Sequence, residues 1–208
     1  AIELPMAGRP HTGSFAAGDP ALGLIRDPGV RYTDGLVEGE YAVKGVIWKG
    51  SMSDVYAAWN RRRNVPIVLK TFESRGAGFD ENYWHFINEE KYSRGAGHGG
   101  VVKPARVVQE RLGLVYEEEF ADGGSLGDVL EDRGVMPLDR ARAVALGLLE
   151  ILEDVHAQGI AHNDIKPDNI LFDGEGRVRL IDFGIAWDFL RDRGELRGGT
   201  RVGSEGYI

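Results

Sequence analysis

The chain has 208 residues, enough for one medium domain or two small lobes with a real core. Hydrophobic residues make up 42%, charged residues 28%, and the formal charge is −8, a globular composition whose acidic balance argues against nucleic acid as the main partner, since phosphate backbones need clustered Lys and Arg. No cysteine is present, which excludes disulfides, thiolate metal sites and cysteine nucleophiles and fits a reducing cytoplasm, and no apolar run approaches the ~20 residues of a membrane span.

Residues 1–40 are rich in Gly, Pro and Ala, with turn signals at Gly18-Asp19-Pro20 and Asp27-Pro28-Gly29, and read as a linker or extended arm. From Tyr41 the character changes. Tyr41–Trp48, Val55–Trp59 and Val65–Phe72 are strand-like runs of β-branched and aromatic residues. Asp80–Arg94 reads as a helix with Asp80 as its N-cap. Val101–Gln109 and Gly113–Glu118 follow as two more strands. After Phe120 the pattern turns helical. Leu126–Asp132 is a short helix. Leu138–Gln158 is a long one, carrying Val144, Leu148, Ile151, Leu152 and Val155 on one stripe and ended by Gly159. Ile170–Phe172 and Val178–Ile181 flank Asp173-Gly174-Glu175-Gly176, a hairpin signal. Ala186–Ile208 is loop-like. The expectation is an α+β chain, β-rich with one helix over 41–119 and helical over 120–208.

Two segments concentrate polar chemistry. His162-Asn163-Asp164-Ile165-Lys166-Pro167-Asp168-Asn169 lies on a loop after the long helix, and Asp182-Phe183-Gly184 follows beyond the hairpin. Taken singly, either is also an ordinary solvated turn. In this order, around a hairpin, they resemble the catalytic loop and the metal-binding segment of the protein kinases. The resemblance covers residues 41–208 and is to the eukaryotic-type (Hanks-type) Ser/Thr kinases, with a bilobal fold. The abundance of Arg over Lys and of Gly suits a bacterial member. The sequence ends before the Ala-Pro-Glu motif and later helices that the resemblance implies, as expected of a truncated member or of a piece whose remainder lies elsewhere; without them the long helix would be left with apolar surface open.

The resemblance implies ATP and Mg²⁺ as cofactors and transfer of the γ-phosphoryl group to a protein hydroxyl. Asp164 would accept or orient the acceptor proton, and Lys166 would contact the transferring phosphate. Asn169 and Asp182 would hold Mg²⁺. Lys70, at the end of an apolar run, would pair with the α/β-phosphates, with Glu89 preferred over Glu90 as its carboxylate partner. The glycine-rich loop is represented by Trp48, Gly50, Ser53 and Val55, with one family glycine left. Trp48 would cap the nucleotide or simply pack in a strand. Val55, Val68 and Leu171 would sandwich the adenine, and the hinge would fall in Glu117–Phe120, with Glu119, Phe120 and Ala121 as the backbone contacts. A run such as Glu117-Glu118-Glu119 is by itself usually a solvated face. Asn163 stands where the family usually has Arg, so phosphate-driven ordering of the activation segment is not expected. Thr200 and Ser204 are candidate self-acceptors or plain loop residues. His156 reads as core, and His11, His85 and His98 form no metal-ligand spacing. Lys166-Pro167 favours a Ser/Thr protein substrate. A small-molecule phosphotransferase and a nucleotide-binding pseudokinase are the alternatives.

Overall fold

The computed structural model describes residues 40–49, 53–73, 79–110 and 113–190. The N-terminal arm, Gly50, Thr200 and Ser204 lie outside them. The chain divides into two compact units. One runs to Tyr83 and takes up Pro104–Phe120 again. The other holds Trp84–Lys103 and the chain from Ala121 onward.

The first unit is built from β1 (Tyr41–Lys49), β2 (Ser53–Asn60), β3 (Val65–Glu73), β4 (Arg106–Glu110) and β5 (Gly113–Glu119). They form an antiparallel sheet in the order β1-β2-β3-β5-β4. Strand periodicity sends alternate residues to opposite faces. Tyr41, Val46, Tyr56, Ala58, Ile67, Leu69 and Val115 share one face and form its core. Burying each large apolar side chain of this kind contributes about 1.5–3 kcal/mol. β1 is irregular, with register shifts between Val43 and Gly45 and between Val46 and Trp48. β4 starts only at Arg106, later than the expected strand over Val101–Gln109. Pro104 has no N–H to give a ladder, and Val101 instead bridges Leu180 in the other unit's own core.

The glutamate run is not a solvated face. Because it lies on β5, its three carboxylates alternate in direction. Glu117 points into the covered face and is 2% exposed. Tyr41 Oη donates to its carboxylate, Asn60 Nδ2 donates at 3.3 Å, and the Arg63 guanidinium pairs with it. A buried carboxylate needs this provision, since leaving it unpaired costs several kcal/mol. Glu118 is half-buried on the other face and Glu119 is exposed.

The second unit receives most of α1 (Phe79–Gly95). This helix begins at Phe79, so Asp80 lies inside its first turn and is not its N-cap. Phe86, Glu89, Tyr92 and Ser93 follow helical spacing on its buried side, and Ala96 just beyond its end is buried too. Then come α2 (Leu126–Arg133), α3 (Leu138–Ala157), β6 (Ile160–Ala161), β7 (Ile170–Phe172), β8 (Val178–Leu180) and β9 (Trp187–Asp188). Ile151 and Val155 of α3 are buried with Tyr92, Val101, Leu180 and Phe183, flanked by Leu148 and Leu152. Val144 packs with Ile170 and Phe172. The outer side of α3 exposes Leu138, Leu146 and Leu149. His156, expected in the core, is exposed: it follows Val155 by one residue, about 100° around the helix. β7 and β8 make the expected hairpin. Asp173 closes it, accepting from the Glu175 and Arg177 amides and from Arg177 Nε. Burial raises its pKa, but the Arg177 hydrogen bonds outweigh this and hold the carboxyl below its ordinary value. The stretch after Ala186 is not all loop, because β9 pairs antiparallel with β6. Among the described residues, no helix is long and apolar enough to cross a membrane.

Candidate functional site

The turn after α3 sets up the polar loop. Gly159 takes φ +79°, a left-handed conformation that favours glycine, and it releases the chain into β6 and then His162. The loop from His162 to Lys166 is followed by one turn of 3₁₀ helix, Pro167–Asn169, which opens on proline.

Within this loop the functional candidates meet directly. Asp164 is 7% exposed and Asn169 is 4% exposed. Lys166 Nζ lies 2.8 Å from Asp164 Oδ2. Asn169 Nδ2 donates to the same oxygen at 2.9 Å and to the Asp164 carbonyl at 2.8 Å. One carboxylate oxygen thus receives two donors, which fixes the plane of the carboxylate. The amide nitrogen of Asn169 is committed to Asp164, so its other terminal atom, Oδ1, is a hard oxygen donor.

His162 ties this loop to the second segment. Its Nδ1 accepts from the Asp164 amide at 3.2 Å, so Nε2 carries the proton and donates to the Ile181 carbonyl at 2.9 Å. The ring is 2% exposed and packs edge-on to Phe183, with centroids 4.5 Å apart. Burial is the main cause that lowers the His162 pKa, and it outweighs the hydrogen bond to Ile181 and the nearby Asp182 and Asp164. The ring is therefore neutral and structural. Ile181 also donates its amide to the Asn169 carbonyl at 3.1 Å. Asp182 is thereby anchored one residue beyond a doubly tied position. It has φ +66°, an uncommon conformation for a residue other than glycine. Asn163, at φ 65°, sends Nδ2 to the Ile185 carbonyl at 3.1 Å.

Asn169 and Asp182 offer amide and carboxylate oxygens, the donors Mg²⁺ prefers. Among the described residues no group of three or more His, Cys, Asp or Glu could hold a metal. An ion here would draw further ligands from phosphates and water, as Mg²⁺ commonly does. The donor set fits.

On α1, Glu89 is 5% exposed, while Glu90 turns to Arg94 at 3.2 Å across one helical turn. Leu171 is half-buried in β7, opposite Arg179. Gly123 packs against Phe172, where a Cβ would lie 2.7 Å from the Phe172 carbonyl oxygen, so the chain beyond Phe120 and Ala121 runs tight against β7.

In the sheet unit, the register fixes which candidates share a face. Val55 lies opposite Lys70, and Ala57 opposite Val68. Val68 lies opposite Glu118, and Lys70 opposite Tyr116. Trp48 pairs with Val55 and is 50% exposed. Val55, Val68 and Lys70 are all half-buried there. Ser53 opens β2, also half-buried. Glu119 ends β5, with Phe120 and Ala121 half-buried beyond it.

His85 and Asn88 were not singled out for this site by sequence. They bond the Gly184 carbonyl from α1, at 3.1 Å from Nδ1 and 3.4 Å from Nδ2. Their i, i+3 spacing placed them on one helix face, but nothing in the sequence indicated that Gly184 would lie beneath it.

The family model described as "Protein kinase domain" matches residues 41–208. The chain is similar to "Serine/threonine-protein kinase PknL" of Mycobacterium tuberculosis, with 32% identity over 171 residues, covering 77% of this chain and 39% of that protein. It is similar to "CBL-interacting protein kinase 4" of Oryza sativa subsp. japonica, with 30% identity over 174 residues, covering 81% of this chain and 38% of that protein. "Sperm motility kinase 3A" of Mus musculus is 30% identical over 154 residues, covering 73% of this chain and 29% of that protein. The chain thus spans about two-fifths of the length of its PknL relatives.

Proposed function

The chain belongs to the protein kinase family, and from that premise we propose that it transfers the γ-phosphoryl group of ATP to a Ser or Thr hydroxyl of a protein. The observation that carries the reading is the Asp164 carboxylate, buried and held on one oxygen by both Lys166 and Asn169. In phosphoryl transfer the protein mainly positions groups and stabilises charge. Asp164 orients the acceptor hydroxyl and takes its proton. Lys166, next to that carboxylate, turns its ammonium to the transferring phosphate. Asn169 and Asp182 hold Mg²⁺ through oxygen atoms. Bound Mg²⁺ supplies neutralisation of the phosphate charge.

Lys70 is assigned to the α/β-phosphates, and Glu89, buried while Glu90 is turned to Arg94, is assigned as its carboxylate partner. Val55, Val68 and Leu171 are assigned to the adenine, and Glu119, Phe120 and Ala121 to its polar edge. Ser53 and Gly50 are assigned to the phosphates. The name of the Mycobacterium tuberculosis relative, a serine/threonine-protein kinase, supports a Ser/Thr protein acceptor. Thr200 and Ser204 are proposed as self-acceptors.

The test is transfer from γ-labelled ATP to a general Ser/Thr protein acceptor, to the chain itself and to small hydroxylated acceptors. Asp164→Asn and Asp182→Asn are each expected to lower protein phosphorylation by at least about 10²–10⁴-fold, the contribution of a positioned base or charge-holding group. Parent-level transfer by either variant would overturn the assignment. Label on small acceptors alone would redirect the substrate class.

A further inference from the structure

The metal assignment to Asp182 raises the question of what keeps that residue in place. Its left-handed backbone is held only if its surroundings over-determine it. Four carbonyls around it are tied. Ile181 accepts from His162, and Phe183 accepts from the Ala186 amide at 3.0 Å. Gly184 accepts from His85 and Asn88, and Ile185 accepts from Asn163. The last two ties use side chains from different elements, α1 and the polar loop. The α1 backbone also closes on this point: a Cβ on Gly184 would touch the His85 carbonyl oxygen and Asp182 Oδ1, each at 3.4 Å.

We propose that His85, Asn88 and Asn163 are positioning residues, a side-chain clamp on the Gly184 and Ile185 carbonyls that holds Asp182 in its metal-binding conformation. The proposal rests on reading Asp182 as a metal ligand. A carbonyl can only accept, so His85 serves through Nδ1–H and Asn88 and Asn163 through their NH₂ groups. Each contributes a donor without touching the metal, in the way that outer partners orient metal ligands elsewhere. Asn163 acts here without any phosphate. An Arg at that position would reach farther and would not suit the left-handed backbone as well as Asn does.

The experiment uses the full chain with Mn²⁺ and ATP as probes. Free Mn²⁺ is measured by electron paramagnetic resonance, and amide hydrogen exchange is followed over residues 183–186. His85→Phe keeps a ring and removes the donor. Asn88→Leu keeps the shape and removes the donor. The double variant is expected to weaken Mn²⁺ binding by about tenfold or more, within the 10–100-fold range for outer-shell changes, and to speed exchange at 183–186. His85→Gln, which restores an NH donor, is expected to recover part of both, and Asn163→Ala to repeat the effect at Ile185. Asp182→Asn is run alongside. If it weakens Mn²⁺ binding while the double variant binds and exchanges like the parent, the clamp is refuted. If Asp182→Asn binds Mn²⁺ like the parent, the metal reading fails, and faster exchange in the double variant still reports the clamp. Should the double variant not fold, the single His85→Phe and His85→Gln pair decides, because equal exchange in both refutes a donor role.

Discussion

At the scale of single residues, His162 shows how one buried ring sets two backbones. It receives a hydrogen bond from the Asp164 amide and gives one to the Ile181 carbonyl, and accepting at Nδ1 while donating at Nε2 requires the neutral Nε2-protonated tautomer. A proton added at Nδ1 would displace the Asp164 amide and place a charge in a site 2% exposed. Because burial lowers its folded pKa, the unfolded chain takes up a proton first as pH falls. The stability it contributes is therefore complete above about pH 6.5, the ordinary histidine value, and is lost as pH falls below it toward the depressed folded value. Urea midpoints between pH 7.5 and 5.5 check this. The parent is expected to lose stability with a slope of up to about 1.4 kcal/mol per pH unit more than His162→Gln. Equal slopes would show that the ring titrates as freely folded as unfolded.

Among the elements, α2 carries a separable contribution. Ser125 Oγ accepts from the Asp128 amide at 2.9 Å, and Asp128 Oδ2 accepts from the Ser125 amide at 3.0 Å, a reciprocal capping box. Ser125→Ala should cost about 1 kcal/mol by chemical denaturation, and Ser125→Thr, which keeps the hydroxyl that also donates to Asp128 Oδ2 at 2.7 Å, should keep most of it. The apolar stripe of α3 and the β7–β8 hairpin were legible because each rests on local chemistry, a 3.6-residue period and a turn, while the Ser125 cap of α2 was found only in the structure. Other features were settled by partners distant in sequence. Val101 and Val102 look like strand residues, yet Val102 bonds Leu180 across the core. Glu117 looks solvated, yet strand alternation turned it inward toward Tyr41, 76 residues away. For the same reason Asp164, Lys166 and Asn169 could be read together from one loop, while the roles of His85 and Asn88 could not.

At the scale of the whole molecule, the assigned groups are divided between two units, Lys70 in the sheet and Asp182 in the helical part. Under the proposed assignment, Lys70 and Asp182 are each expected to contribute to nucleotide binding. Mg·ATP at about 100 times its Kd should stabilise the chain by about 2.7 kcal/mol, a rise in Tm of roughly 5–10 °C for a domain this size. Lys70→Met and Asp182→Asn, each in a different unit, should remove most of that rise. A parent chain with no shift would overturn ATP binding.

The Glu117 network bears on something other than catalysis, the fidelity of strand pairing. β1 is an outer strand with two register shifts, paired on one side only, and its register is set by the buried face it shares with β2. A slip of one residue would send Tyr41 to the opposite side and strip a hydroxyl donor from a buried carboxylate. A mispaired sheet would thus carry a charge without its full set of partners, so the network acts as a proofreading mark against that misfold.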